Sequence, residues 1–399
     1  MHFEVNAKKL NQALKSIVAL GSFVKTTKSD DANPCLVTAK DDVITIEAAD
    51  YGFYVKHTLE AAVKKGGTFG VSAMVLSRCR FSETMTLKKG TKRNTVQVSS
   101  GSFRYVINEL PKAENLITTG IPSRKSLRVK YLASMAADTF KTLIGTTSFK
   151  PGLKEESLRV QMEFQKKRKA GSVTITGLDS YSFARMKAVG QDIKVKKPFK
   201  AILKTSLLNN VLKELDVGNV SDEEIGSGPP LKIGMVYDLD NNPSLIRFTT
   251  EEFDLFYPVL SIPFDDVSFV LKKFANEDSL DCSFVTQKSS VQDAIGAVTA
   301  LVGSDSIVIN FKVSRKGIVV TTQTDNSKSR TELAAEEVHR NQKSTVICVH
   351  SGYFVNFVNL APEIVPIKIE SCGKAYVRIS ALELESSSIE FLVSQANPN

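Results

Sequence analysis

The chain has 399 residues, of which 42% are hydrophobic and 24% charged, a composition typical of globular proteins with two or three cores. No apolar run reaches the length of about 18 residues that a membrane span needs, and the first residues lack the charged and apolar regions of a secretory signal. We therefore expect a cytoplasmic protein with no membrane partner, and the formal charge of +9 favours polyanions as partners.

The cysteines and histidines give no sign of a metal site. The five cysteines are far apart, contain no C-x-x-C pair, and are accompanied by four scattered histidines. We interpret the cysteines as buried thiols and expect neither a metal nor a cofactor. They are Cys35, Cys79, Cys282, Cys348 and Cys372.

Three segments along the chain have helical periodicity, with apolar residues at positions i, i+4 and i+7. The pattern predicts helices within Val5–Leu20, Lys130–Thr147 and Lys288–Val302. The repeated apolar positions are Leu10, Leu14 and Ile17 in the first segment, Ala136, Phe140 and Leu143 in the second, and Val291, Ile295 and Val298 in the third.

Each predicted helix is followed by alternating apolar and polar residues that reach an aspartate at a turn, Asp50, Asp179 or Asp325. A second helical pattern then follows each time, and after it come further alternating strands. The second helices are predicted within Val71–Phe81, Lys204–Val217 and His350–Pro362.

The chain therefore contains the order helix, strands, helix, strands three times, which predicts an α+β fold with helices on antiparallel sheet. The periodic patterns break near Pro122–Ser126 and near Leu271–Ser279. We predict three domains, at residues 1–122, 123–273 and 274–399.

Three basic clusters, Lys88–Arg93, Lys166–Lys169 and Lys194–Lys200, lie between segments that resemble strands. They have two interpretations: lysines that solvate hairpin turns and protect strand edges, or contacts to a polyanion. The sequence alone leaves both open.

The sequence lacks the motifs of the common enzyme classes. Its acidic residues are scattered rather than clustered for metal-dependent phosphoryl chemistry, and Gly226–Pro230 lacks the lysine of a phosphate-binding loop. Neither G-x-S-x-G nor H-E-x-x-H occurs. We therefore predict no catalytic residues and no enzymatic activity.

Three phrases of the sequence, "MHFEVNAKKLNQAL", "SFRYVINELP" and "VTITGLDSYSFA", resemble the bacterial-type sliding clamp, the β subunit of the replicative DNA polymerase. The resemblance covers the whole chain and rests on the order and spacing of these phrases. It implies three tandem clamp domains, forming half of a six-domain ring, with two subunits closing head to tail around duplex DNA of any sequence. It also implies DNA polymerase and a clamp loader as partners that bind through short peptides. The alternative is a non-catalytic repeat scaffold that encircles no DNA.

The DNA-facing residues follow partly from helix geometry and partly from the resemblance. At 100° per residue, Lys8, Gln12 and Lys15 lie opposite the apolar face of the first helix, and Lys141 falls at the angle of Lys15. The resemblance adds loop lysines near positions through which the family touches DNA, although a lone lysine can also serve only solubility. These loop lysines are Lys25, Lys28, Lys150 and Lys154.

The resemblance further implies a partner-peptide groove between domains two and three. This sequence departs from the family there, with Tyr181 and Ser182 where His and Arg are usual, and with a divergent tail, which suggests a phage or mobile-element member. The alternative is that the apolar members are simply sheet core. The implied groove residues are Leu158, Leu178, Ser180, Tyr181, Ser182, Phe183, Pro263, Leu392 and Ser394.

The resemblance finally implies a homodimer interface that joins the end of domain one to the end of the first helix of domain three. Tyr105 and Ile107 lie on one face of the strand "SFRYVINEL", and Ala300 and Leu301 are the residues expected opposite them.

Overall fold

The computed structural model describes most of the chain in seventeen stretches. These are residues 1–21, 33–50, 53–80, 82–92, 94–110, 128–147, 159–168, 170–178, 182–204, 230–238, 240–300, 307–324, 327–342, 344–360, 366–373, 375–381 and 387–395.

Each repeat contains a strand followed by a helix, then a group of strands, and ends in a group of three strands. The first repeat contains β1 His2–Asn6, α1 Ala7–Gly21, β2 Pro34–Lys40, β3 Val43–Asp50, β4 Phe53–Lys65, β5 Gly67–Ser72, α2 Ala73–Ser77, β6 Thr84–Lys89, β7 Thr95–Ser100 and β8 Phe103–Asn108. The second contains β9 Arg128–Ala136, α3 Ala137–Thr147, β10 Arg159–Lys166, β11 Gly171–Leu178, β12 Ser182–Gly190, β13 Lys194–Val195, β14 Phe199–Lys204, β15 Pro230–Tyr237, β16 Pro243–Thr249 and β17 Phe253–Pro258.

The third repeat is the most fully described and has both of its predicted helices. Between them, two short strands, Lys328–Leu333 and Glu336–Arg340, stand where the first repeat has the single long strand β4. The repeat contains α4 Ser268–Lys273, a 3-10 turn Glu277–Ser279, β18 Cys282–Thr286, α5 Lys288–Thr299, β19 Val308–Ser314, β20 Gly317–Gln323, β21 Lys328–Leu333, β22 Glu336–Arg340, β23 Ser344–His350, α6 Ser351–Leu360, β24 Ile367–Cys372, β25 Tyr376–Ala381 and β26 Ser387–Ser394.

The chain forms two compact units, which are residues 1–142, 164–171 and 191–261, and residues 143–163, 172–190 and 262–399. In the first unit the strands run β13-β9-β15-β16-β17-β4-β1-β6-β7-β8, and β3, β2 and β5 continue from β4. In the second unit one sheet runs β11-β12-β26-β25-β24-β18-β22, and a smaller one runs β21-β20-β19-β23. The two predicted boundaries between the three domains stay a prediction.

The helical periodicity of the sequence correctly identifies the buried faces. On α1, Leu10, Leu14 and Ile17 are buried beneath the helix, where α1 packs on β3, β4 and α2. On α5, the corresponding positions Val291 and Ile295 are buried against β20 and β21. Burying these faces supplies the apolar contact that joins each helix to its sheet.

Two predicted helices are shorter than the periodicity indicates. The first half of Lys130–Thr147 belongs to β9, and the helix starts only at Ala137, because residues 128–136 pair with β15 and bury Leu132 and Met135 in the sheet. Among the described residues 71–80 only Ala73–Ser77 is helical, and it begins where the Ser72 hydroxyl accepts a hydrogen bond from the Val75 N–H at 3.3 Å. Most of the predicted helix Lys204–Val217 lies outside the described residues.

The basic clusters occupy strand ends and turns. Lys88 and Lys89 end β6, the Lys167 N–H donates to the Ala170 carbonyl in the turn after β10, and Lys194–Lys200 covers β13 and the start of β14. These positions agree with the interpretation that the lysines solvate turns and strand ends.

The same strand pairing joins successive repeats twice. The last strand of the second repeat, β17, pairs antiparallel with β4 of the first, placing Phe256 opposite Tyr54. The last strand of the third repeat, β26, pairs in the same way with β12 of the second, placing Leu392 opposite Phe183. We call these pairings the first and the second junction.

Near the first junction, His57 is buried on β4. Its Nε2 lies 2.6 Å from the Ser16 hydroxyl of α1, and its ring lies 5.2 Å from that of Phe253. Burial lowers the pKa of His57 to about 4. The fold therefore holds this imidazole neutral where an unfolded chain would already bind a proton.

We predict that His57 makes the protein less stable in mild acid. Because the folded pKa of His57 lies below the unfolded one, the unfolded chain binds a proton more readily than the folded protein below about pH 6.5. The free energy of unfolding should therefore fall by on the order of 3 kcal/mol as the pH drops from about 6.5 toward 4. Urea unfolding of the wild type and of His57→Gln at several pH values would measure this difference. Replacing the exposed His339 by Gln should leave the acid sensitivity intact, and an equally acid-sensitive His57→Gln would contradict the assignment.

Candidate functional site

An apolar cluster forms around the second junction. Phe183 of β12 and Leu392 of β26 face each other across the strand pair, and Val270, Phe274 and Leu280 pack with them. All of these side chains are buried, and partly buried residues surround them. The surrounding residues are Leu178, Val267, Leu271, Cys372 and Tyr376.

The short helix α4 covers this cluster. Its entry is fixed by the Asp266 carboxylate, which accepts a hydrogen bond from the Ser268 N–H at 2.8 Å. Val267, Val270, Leu271 and Phe274 repeat at helical spacing and contact the cluster. The opposite face of α4 exposes Phe269, whose ring lies 5.0 Å from the Lys273 ammonium. The helix therefore has one face on the cluster and one free aromatic face.

A charged network lies beside the cluster. Glu370 is almost fully buried and accepts from Arg378 Nε at 2.5 Å and from Lys368 Nζ at 3.1 Å. The Arg378 guanidinium also reaches the Glu390 carboxylate at 3.4 Å and the Phe274 carbonyl at 3.1 Å, and it stacks on the Phe274 ring. One arginine thus ties β24, β25 and β26 to the end of α4.

Three of the predicted groove residues, Leu178, Phe183 and Leu392, come together in the cluster. Phe183 and Leu392 are only 2% and 5% exposed, so they form its interior rather than an open surface. Ser182 is buried next to Phe183, Ser394 is half-buried at the end of β26, and Pro263 is exposed ahead of α4. Leu158, Ser180 and Tyr181 lie outside the described residues.

Sequence reasoning missed α4 and the arginine network. The sequence carries a signal for α4, because apolar residues at positions 267, 270, 271 and 274 follow helical spacing, although this stretch overlaps the predicted domain break at Leu271–Ser279. No local pattern marks Arg378, whose importance depends on Glu370 and Glu390 from the neighbouring strands.

The first junction has a related construction. Tyr54 and Phe256 are buried there with their rings 5.8 Å apart, and they pack with Val236. Arg247 donates to both oxygens of the Asp254 carboxylate at 2.7 Å and stacks on the Phe256 ring. In both junctions, an arginine of the strand that precedes the joining strand binds a carboxylate of the joining strand. Arg247 of β16 binds Asp254 of β17, and Arg378 of β25 binds Glu390 of β26.

The last strand of the first repeat, β8, lies at the end of its sheet in the described structure. Its Val106 is 65% exposed and Phe103 is 37% exposed. The predicted interface residue Ile107 is buried, and the Tyr105 hydroxyl accepts a hydrogen bond from the Arg80 N–H at 3.1 Å. Ala300 is exposed just beyond α5, whereas Leu301 lies outside the described residues.

The predicted DNA-facing residues have different surroundings. Lys8 and Lys15 are exposed on the same face of α1, with Gln12 half-buried between them. Lys141 on α3 is half-buried rather than exposed. Lys25, Lys28, Lys150 and Lys154 all lie outside the described residues.

The described residues contain no group of three or more His, Cys, Asp or Glu side chains arranged to hold a metal ion. None of the described helices is both long and apolar enough to cross a membrane. Cys35, Cys79, Cys282 and Cys348 are buried, as predicted, and burial raises the pKa of the Cys35 thiol to about 12. Cys372 is only half-buried, at the margin of the apolar cluster.

We predict that Arg378→Ala destabilises the second unit. Removing the guanidinium leaves Glu370 buried with Lys368 alone, a change that costs on the order of 3 kcal/mol when a buried ion pair is broken. Urea unfolding would measure the loss. Replacing the exposed Arg315 by Ala removes the same charge outside the network and should leave the midpoint unchanged. Equal midpoints for the two variants would show that the network adds nothing.

Comparison with known proteins agrees with this architecture. No protein-family model matches the chain, and no curated protein matches its sequence. Among solved structures, it is similar to the DNA polymerase sliding clamp of Bacillus subtilis, with a TM-score of 0.73 at 13% identity over 100% of both chains. The β subunit of the DNA polymerase of Streptococcus pyogenes gives 0.71 at 13%, and a Helicobacter pylori β clamp gives 0.70 at 14%, again over 100% of both chains. The chain therefore has the fold of the bacterial DNA polymerase sliding clamp.

Proposed function

We propose that the protein is a DNA sliding clamp, in which two copies close head to tail into a ring around duplex DNA and tether a DNA polymerase. It serves as a non-catalytic accessory subunit in the cytoplasm. The solved structures that share this fold include a DNA polymerase sliding clamp, which supports the proposal.

The observation that carries the proposal is the exposed edge of β8. The last strands of the second and third repeats pair with the preceding repeat, whereas β8, the last strand of the first repeat, pairs only with β7 among the described residues. Phe103 closes the turn before β8, and Phe253 closes the turn before β17. Val106 and Phe256 each lie three residues after these phenylalanines, so they occupy equivalent positions on the two strands. A strand edge with exposed apolar residues favours pairing with another chain.

The corresponding edge strand in the third repeat is β21, which lies at the edge of the smaller sheet. Its hairpin with β20 places Lys328 where the β3–β4 hairpin places Tyr54, because each is the first residue after the pair that closes the turn. If β8 of one copy pairs with β21 of the next as β17 pairs with β4, Val106 lies opposite Lys328. We call this pairing between copies the seam. Two seams close two copies into a ring of six domains.

The seam extends the interface that the sequence predicts. Tyr105 and Ile107 lie on β8 itself, and Ala300 and Leu301 follow α5, which packs against β21. We propose that they contribute apolar contacts behind the strand pairing.

A ring explains how the chain can hold DNA with few strong contacts, because a topological link persists while individual phosphate contacts break and re-form. The exposed Lys8 and Lys15 on α1 are suited to transient phosphate contacts. We propose that Gln12, Lys141 and the loop residues Lys25, Lys28, Lys150 and Lys154 also face the DNA.

We propose that partner peptides, including those of the polymerase and a clamp loader, bind at the edge of the apolar cluster. The half-buried Leu178, Val267, Leu271 and Tyr376 offer apolar contact there, while Phe183 and Leu392 support them from beneath. Ser180, Tyr181, Ser182, Ser394, Pro263 and Leu158 complete the proposed groove.

We expect the protein to survive higher salt on circular DNA than on linear DNA. After loading on nicked circles, the salt is raised to about 0.5 M, half of the sample is linearised with a restriction enzyme, and bound protein is measured by gel filtration. Because escape from a circle requires opening a seam, the protein should stay on circles and leave linear DNA. Equal retention on both would favour a protein that binds the side of DNA or a scaffold.

The lysines should contribute to affinity without setting retention. Replacing Lys8 and Lys15 by Ala should reduce the slope of log affinity against log salt on linear duplex by about 0.9 for each lysine, because fewer counterions are released. Retention on circles should not change. If the slope stays the same, α1 does not face the DNA.

The groove can be tested with two substitutions on one helix. Val267→Ser removes an apolar contact at the edge of the cluster, whereas Phe269→Ser changes the exposed opposite face of α4. We expect Val267→Ser to lower stimulation of the cognate polymerase at least about tenfold, as loss of an apolar anchor of a bound peptide does, with ring formation unchanged. Loss of stimulation with Phe269→Ser instead would place the partner on the outer face.

A further inference from the structure

The two junctions within the chain are electrostatically matched. In the first, Lys56 of β4 lies directly opposite Asp254 of β17. Glu47 of the neighbouring strand reaches the Lys56 ammonium at 3.6 Å, and Arg247 binds the Asp254 carboxylate. In the second, Arg185 of β12 lies opposite Glu390 of β26, and their charged groups are 3.6 Å apart. Each junction therefore places a cation directly opposite a carboxylate.

The two strands of the seam carry different charges at these positions. On β21 the position of Lys56 is taken by Arg330, two residues beyond Lys328, and the residue beside it on β20 is Thr321, where β3 has Glu47. On β8 the position of Asp254 is taken by Arg104, since each is the first residue after the turn-closing phenylalanine. Both arginines are exposed.

The surface around Arg330 adds to the positive charge. Lys312, Lys316, Lys328 and Arg330 line one cavity of about 750 Å³, in which Glu332 is the lining carboxylate. In the seam Glu332 lies diagonal to Arg104, at a separation where it offsets only part of the repulsion.

The β8 side has acids, but they are not bound to Arg104. Glu4 and Glu83 line a second cavity with it, and Lys64 already holds Glu4 at 2.5 Å. Among the described residues, no ion pair joins Arg104 to either acid. The group that a closed seam brings directly opposite Arg104 is therefore Arg330.

We propose that the seam between copies is charge-mismatched, with Arg104 of one copy opposite Arg330 of the next, so that ring closure is opposed by like charges and strengthened by screening. This inference rests on the proposed ring. Like charges directly opposite in an antiparallel pair are destabilising, and salt screens exposed charges within about 10 Å at 0.1 M. The ring would then open at the seams rather than at the matched junctions.

The test is the dimer dissociation constant, measured by sedimentation equilibrium between about 0.05 and 0.5 M NaCl. Wild-type dimers should tighten as salt rises. Arg104→Glu restores a carboxylate opposite a cation, so it should tighten the dimer at low salt by roughly 2-fold to 30-fold over two seams, and its dimers should weaken with salt. Combining Arg104→Glu with Arg330→Glu places two carboxylates face to face and should remove that gain.

Lys197→Glu is the matched control, since it makes the same change of charge at an exposed position between β13 and β14, outside both strands of the seam. It should behave as the wild type does. Wild-type dimers that weaken with salt, or an Arg104→Glu dimer no tighter than that of Lys197→Glu, would overturn the mismatch while leaving the ring intact. Monomers in every variant at every salt concentration would overturn the seam and the ring together.

Discussion

The antiparallel pairing of one repeat's last strand with the preceding repeat is the interaction on which this structure depends. An unpaired strand edge exposes backbone donors and acceptors that favour another strand. The chain satisfies this requirement twice within itself, at β17 with β4 and at β26 with β12. Because the first repeat ends in the same kind of strand, β8 remains an edge strand in the first repeat, and β21 is an edge strand in the third.

The candidate peptide site is a consequence of the second junction. Strand pairing brings Phe183 opposite Leu392, and this apolar pair gives α4 a surface on which to pack. Arg378 then links the joining strand to the end of α4 through Glu390 and the Phe274 carbonyl. At the first junction the corresponding pair, Tyr54 and Phe256, packs instead with Val236 of β15, so related backbones give two different surfaces.

Much of the fold could be predicted from the sequence, because helical and alternating periodicities depend on local burial. The α+β class, the threefold repeat and the buried faces of α1 and α5 all followed from such patterns. The start of α3 did not, since strand pairing with β15 overrides the helical pattern of residues 130–136. The sequence did not predict the hairpin register either. Asp50 belongs to the pair that closes the turn in the first repeat, and in the third repeat Thr324, rather than the aspartate that follows it, takes this position.

The sites were less predictable than the fold. Leu178, Phe183 and Leu392 were identified through family resemblance, which could not indicate that Phe183 and Leu392 would be covered by α4. The charge contrast between junctions and seam requires knowing which residues lie opposite each other, and only strand register supplies this. For the same reason, Arg104 and Arg330 look like ordinary surface residues in the sequence.

The central claim is that β8 of one copy pairs with β21 of the next in the register of the internal junctions. It is tested most directly by a disulfide between Val106→Cys and Lys328→Cys, because directly opposed residues lie within the Cα separation of about 4.4 to 6.8 Å that a disulfide spans. Mild oxidation of the double variant should give a covalent dimer of twice 43.7 kDa on a non-reducing gel. The pair Val106→Cys and Glu332→Cys, shifted along β21, should not form it. Equal cross-linking of both pairs, or none with the first, would contradict the account.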